Sequence, residues 1–134
     1  MSARKKPAPP PPHNRSATAE DKAIGLKLRT RRMEQKMSQA ELGDFLGVSF
    51  QQVQKYEQGV NRVGASRLAQ IADVLDCGID YFIEARRSHT PPSKIDEFMA
   101  TREGVQIVEA MIAIESPKVR QRMIDLARVL GEAA

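Results

Sequence analysis

The chain has 134 residues, 41% of them hydrophobic but only 4% aromatic and none Trp, which bounds it to one modest, aliphatic core with a small appendage. Its net charge of +4 is matched by Arg4, Lys5, Lys6 and Arg15 within an acid-free stretch 1–18, so the remainder is close to neutral and overall basicity argues little about partners. Cys77 is the sole cysteine, which excludes an intrachain disulfide; no apolar run approaches the roughly 18 residues of a membrane span.

The first residues, "MSARKKPAPPPPHNR", are basic and Pro-rich and lack the apolar segment of a secretory signal. Residues 1–18 read as a disordered tail, because they cannot bury enough apolar surface to offset the entropy of ordering. From about 20 to 36 the apolar residues Ile24, Leu28 and Met33 (or Arg32) recur at helical spacing. "SQAELGDFL" opens a second helix with a capping-box pattern, Ser38 and Glu41, and an apolar face of Leu42, Phe45 and Leu46. Gly47 suits its C-cap. Ser49 and Gln52 form a second box-like start, and that helix ends at Gly59. After the loop "VNRVGA", the stretch "SRLAQIADVLDC" places Leu68, Ile71, Ala72 and Leu75 on one face, with Cys77 as a small buried filler. "GIDYFIE" reads as a short helix burying Ile79, Phe82 and Ile83. No segment alternates as a strand, so the expected fold class is all-α.

The short helix "SFQQVQKYEQG" carries three Gln and a Lys between two core-type residues, Val53 and Tyr56. An ordinary surface helix uses Glu and Lys in i, i+4 pairs. Glutamine amides both donate and accept, as base edges in the major groove require. Two short helices joined by Gly47-Val48-Ser49 have the layout of a helix-turn-helix, with Phe50, Gln51, Gln54 and Lys55 on the exposed face of the second. Lys36, Lys55, Arg62 and Arg67 cluster around that face, while Asp73, Asp76, Asp80 and Glu84 fall later.

On Arg32, "SQAELGDFLGVS", Val53, "YEQG" and "LAQIADVLDC", residues 22–84 resemble the lambda-repressor-like regulators, the Cro/cI or Xre family. The resemblance implies a five-helix DNA-binding domain over 19–84 and double-stranded DNA as partner. It implies that Phe50, Gln51, Gln54 and Lys55 read bases and that Gln39, Ser49, Asn61, Arg62 and Arg67 grip phosphates. It also implies a salt bridge between Arg32 and Glu57 that fixes the first helix against the third. Gly43 departs from the family, which more often has Ala inside the second helix; glycine there costs on the order of 1 kcal/mol in propensity and leaves room for close packing.

Residues 85–94, "ARRSHTPPSK", read as a linker. Beyond it "IDEFMATREGVQIVEAMIAIE" is apolar around much of its circumference, as a doubly covered helix would be. Ser116-Pro117 then starts a last helix with the stripe Val119, Met123, Leu126 and Leu130. The expectation for 95–134 is a helical homodimerisation segment, with contacts through 95–131; its rival is a segment that folds back on its own domain. His13 and His89 lack the neighbours of a metal or nucleophilic site, so neither an enzyme nor a cofactor is expected. Two functions remain: a dimeric regulator reading a palindromic operator through helix 49–58, or a protein of this fold acting mainly on another protein, as an antitoxin or adaptor does. A cytoplasmic setting, nucleoid-associated when DNA is bound, follows from either.

Overall fold

A computed structural model of the chain describes residues 18–87 and 91–133. The expectations for the basic tail, for His13 and for His89 lie outside them, Thr18 excepted. Eight helices are present among the described residues, and no strand: α1 (Ala19–Glu34), α2 (Gln39–Leu46), α3 (Phe50–Glu57), α4 (Ala65–Val74), α5 (Asp80–Arg87), α6 (Lys94–Met99), α7 (Arg102–Ala113) and α8 (Pro117–Ala133). The fold is all-α, a helix-turn-helix domain followed by a helical extension. No described helix is long and apolar enough to cross a membrane.

One aliphatic core joins α1 to α5. Ile24 and Leu28 from α1, Leu42 from α2, Val53 from α3, Leu68, Ile71 and Leu75 from α4 and its end, and Phe82 from α5 are fully buried together. The 3.6-residue period of the sequence selects most of this set, since i and i+4 side chains share a face. Of the residues expected inside, Ile79 is half-buried against this cluster, Ile83 is half-buried outside it, and Phe45 departs furthest. It is 68% exposed, because Leu42 and Leu46 define the buried side of α2 and Phe45 falls beside it. At the end of α1 the buried residue is Arg32, with Met33 only half-buried. Cys77 is half-buried rather than enclosed, and burial pushes its thiol up from the ordinary range.

Caps set the helix ends. Ser38 Oγ accepts from the Glu41 N–H at 3.0 Å and Ser49 Oγ from the Gln52 N–H at 3.2 Å, but neither Glu41 nor Gln52 completes a reciprocal box. The reciprocal boxes lie elsewhere, at Thr18 with Asp21 and Ser93 with Asp96. Ser93 donors hold the Asp96 carboxyl below the usual carboxylate range. Arg31 adds a cap of its own: Nε donates to the Leu75 carbonyl at 2.9 Å and Nη2 to the Asp76 carbonyl at 2.8 Å, which ties α1 to the end of α4.

The segment after α5 differs from the sequence reading in two respects. Residues 85–94 are helical at both edges, since α5 runs through Arg87 and α6 begins at Lys94. The apolar stretch 95–115 is not one helix but two, because Thr101 caps a new start by accepting from the Gly104 N–H at 3.0 Å. A Cβ at residue 104 would overlap the Phe98 carbonyl oxygen, so this tight corner needs glycine. The corner docks on α1. Thr30 Oγ1 shares its hydrogen between the Leu26 carbonyl at 2.9 Å and the Met99 carbonyl at 3.1 Å, and Ala100 and Val105 are buried. Beyond it the cover ends. α8 has no buried residue, and among the described residues its bonded link back is Arg120, whose guanidinium donates to the Met111 and Ile112 carbonyls at the end of α7.

Candidate nucleic-acid interface

The turn between α2 and α3 is built by two glycines. Gly47 closes α2 at φ 72°, the left-handed conformation that glycine adopts without strain. Gly43 donates space: a Cβ there would lie 2.6 Å from the Val48 carbonyl oxygen, while its own carbonyl accepts from the Val48 N–H at 2.9 Å. The chain therefore folds back directly over Gly43, and Ser49 opens α3 at a fixed angle to α2.

α3 is anchored from behind. Val53 is fully buried, and Glu57 lies 4% exposed at the far end of the helix. Arg32 meets it in a two-pronged ion pair, Nε to Oε2 at 2.8 Å and Nη2 to Oε1 at 2.9 Å. The third Arg32 nitrogen, Nη1, donates to the Met37 carbonyl at 2.8 Å. Gln39 Nε2 adds a bond to Glu57 Oε1 at 3.1 Å, which carries the network into the first turn of α2. Planar guanidinium and carboxylate match in this geometry, so the pair sets orientation as well as distance. α1, α2 and α3 are thereby locked into one body.

The opposite side of α3 is free. Phe50, Gln51, Gln54 and Lys55 are all exposed, Phe50 to 50%, and share one side of the helix; Gln52 is half-buried beside them. Ser49 is exposed at the N-cap and Arg62 in the loop that follows, with Asn61 half-buried next to it. Two residues assigned to phosphates from the resemblance also hold internal partners. Gln39, half-buried, spends one of its two amide hydrogens on Glu57. Arg67 Nη1 donates to the Leu46 carbonyl at 2.8 Å and to Gln70 Oε1 at 3.0 Å, so this guanidinium closes the end of α2. The sequence offered no signal for Arg31 or Arg67 as caps, because both carbonyl partners lie more than twenty residues away. Among the described residues no group of three His, Cys, Asp or Glu side chains could hold a metal ion.

Residues 28–82 match the family model for the helix-turn-helix. The chain is 43% identical over 129 residues to an uncharacterized HTH-type transcriptional regulator of Sinorhizobium fredii, covering 87% of this chain and 90% of the relative. A second such regulator, from Sinorhizobium medicae, is 37% identical over 122 residues, with 83% and 88% covered. One from Rickettsia conorii is 31% identical over 111 residues, again with 83% and 88% covered. These spans exceed what residues 28–82 can supply, so the likeness runs into the helical extension. No significant match to a solved structure exists. With this likeness and the α2–turn–α3 geometry together, the chain belongs to the Cro/cI-like (Xre) family of helix-turn-helix transcriptional regulators.

Proposed function

We propose that this DNA-binding regulator reads a palindromic operator as a dimer, with α3 in the major groove. The observation that carries it is the contrast between the two sides of α3. One side is clamped by Val53 and the Arg32–Glu57–Gln39 network, and the other presents two amides, a cation and a phenyl ring to solvent. Specific readout needs such a rigid frame, because each base contact is worth only about 1–3 kcal/mol and is lost when donors are misplaced. Gln51 and Gln54 can pair with the N6 and N7 edge of adenine, Lys55 can donate to guanine O6 or N7, and Phe50 can touch a thymine methyl. Ser49, Asn61, Arg62, the second amide hydrogen of Gln39 and the outward nitrogens of Arg67 supply backbone grip, which sets register and carries no sequence information. One α3 spans few base pairs, and two related by a dyad read half-sites about one helical turn apart. The exposed apolar surface of α7 and α8 is the surface proposed to pair the two copies.

Selection of binding sites from a random DNA pool tests the reading. Gln51→Ala should lose about 1–3 kcal/mol on the selected site and relax preference at one base pair per half-site. Arg62→Ala should weaken selected and random DNA alike and flatten the salt dependence. An unchanged selected sequence with Gln51→Ala would overturn the assignment of α3 as the reading helix.

A further inference from the structure

The cleft between the α1–α2 turn and α7 brings together residues far apart in sequence: Lys36, Ser38 and Glu41 on one wall, Arg102, Gln106 and Glu109 on the other. The Ser38 wall is the start of α2, the element that in the proposed DNA mode approaches the phosphate backbone through Gln39. We propose that Arg102 and Lys36 extend that backbone contact, so that the helical extension grips DNA directly through the first turn of α7. This rests on the DNA-binding reading above and adds contacts outside the helix-turn-helix.

Three observations support it. The first is that α7 is not a loose tether at this point, since Thr30 holds the Met99 carbonyl and Val105 is buried against the domain. Arg102 is therefore carried at a fixed place beside α2. The second is that Arg102 and Lys36 are both exposed, and among the described residues neither is ion-paired. The third is that Arg102 is the first residue of α7, where a cation adds to the positive end of the helix instead of offsetting it. Glu103, beside it in the first turn, offsets that end in the free protein, and an anion brought in front of Arg102 would be favoured there as well. The two carboxylates of the cleft do not fill that role. Glu109 lies seven residues along α7, roughly 10 Å down the axis, and Glu41 lies in the first turn of α2 without a bond to either cation. A phosphodiester crossing the mouth of the cleft would meet both Lys36 and Arg102.

The salt dependence of DNA affinity tests the proposal on the full-length protein. Each phosphate contact contributes about 0.9 to the slope of log affinity against log salt. Arg102→Gln should make that slope shallower by about 0.9, so its deficit against wild type shrinks about 3.5-fold between 50 and 200 mM salt. Lys36→Gln should act in the same way, and the double variant should lose about twice as much slope. The selected sequence and the thermal stability should stay as in wild type, since neither side chain is bonded within the fold. Ethylation interference should reveal a phosphate in each half-site that matters to wild type and not to Arg102→Gln. A wild type that binds its site with a slope unmoved in Arg102→Gln, while Arg62→Ala moves it, would overturn this inference alone. A wild type with no preference among DNA sequences would overturn the reading beneath it.

Discussion

Glu57 illustrates how much one side chain can carry. Both of its carboxylate oxygens are occupied, by Arg32 and Gln39, and its side chain is 2% exposed. A buried ion pair can be close to neutral against an apolar replacement of both partners, but removing one partner strands the other in a poor solvent. Glu57→Ala should therefore cost about 3–5 kcal/mol, a large part of the stability of a small domain. Thermal melting would check it: a shift of no more than a degree or two would mean that Arg32 reaches water when its partner is gone. Single residues were also where the sequence was least explicit. Val53, Leu68 and Ile71 could be chosen as core from spacing alone, and they are buried. Gln39 and Arg67 look from sequence like free polar groups near a DNA face, yet each also bonds inward, to residues 18 and 21 positions away. Local pattern cannot reveal a partner that only the tertiary fold supplies.

At the scale of elements, caps and periodicity located the first five helices to within a few residues. The α2–α3 turn shows how packing can reverse a propensity. Alanine is the better helix former by about 1 kcal/mol, and the family more often has it where Gly43 stands. Here a Cβ would sit 2.6 Å from the Val48 carbonyl oxygen, a backbone atom that can yield only if the whole turn moves. Overpacking of this kind typically costs about 1–3 kcal/mol. Gly43→Ala should thus lower the melting temperature and, by tilting α3 against α2, weaken specific DNA binding more than non-specific binding. Equal or greater stability in that variant would show that the turn has slack. The extension was harder to read because hydrophobicity alone does not mark a corner. Residues 95–115 are apolar throughout, and only the cap at Thr101 and the overlap at Gly104 divide them into α6 and α7. The apolar circumference expected of a doubly covered helix is covered on one side only, where Ala100 and Val105 meet α1.

Over the whole molecule, the extension covers its own domain only in part, and the proposed dimer arm rests on the remainder, α8. α6 and the start of α7 cover α1, while α8 extends without a buried residue. A helix of 17 residues standing alone in water is marginal, since helical stability in proteins comes mostly from packing an amphipathic face. α8 has that face. Val119, Met123, Leu126 and Leu130 are between 41% and 61% exposed, and Ile107 and Ile112 on α7 add 45% and 68%. These six fractions amount to about three whole aliphatic residues, on the order of 500 Å² of apolar surface, at the upper end of what a single chain ordinarily exposes. Apolar patches of this size on a single chain ordinarily mark a contact surface. A second copy fits because the proposed operator has two half-sites and α7 is held rigidly to the reading domain, so pairing α8 also fixes the spacing of two α3 helices. Leu126→Ala together with Leu130→Ala should convert a dimer to monomer at micromolar concentration, since each truncation of a buried Leu costs about 2–5 kcal/mol. Affinity for a palindrome should fall sharply in that variant, with weak half-site binding and the melting of the helix-turn-helix domain retained. Sedimentation decides the matter: wild-type protein of monomer mass at high concentration would end the dimer reading, whatever the variant did.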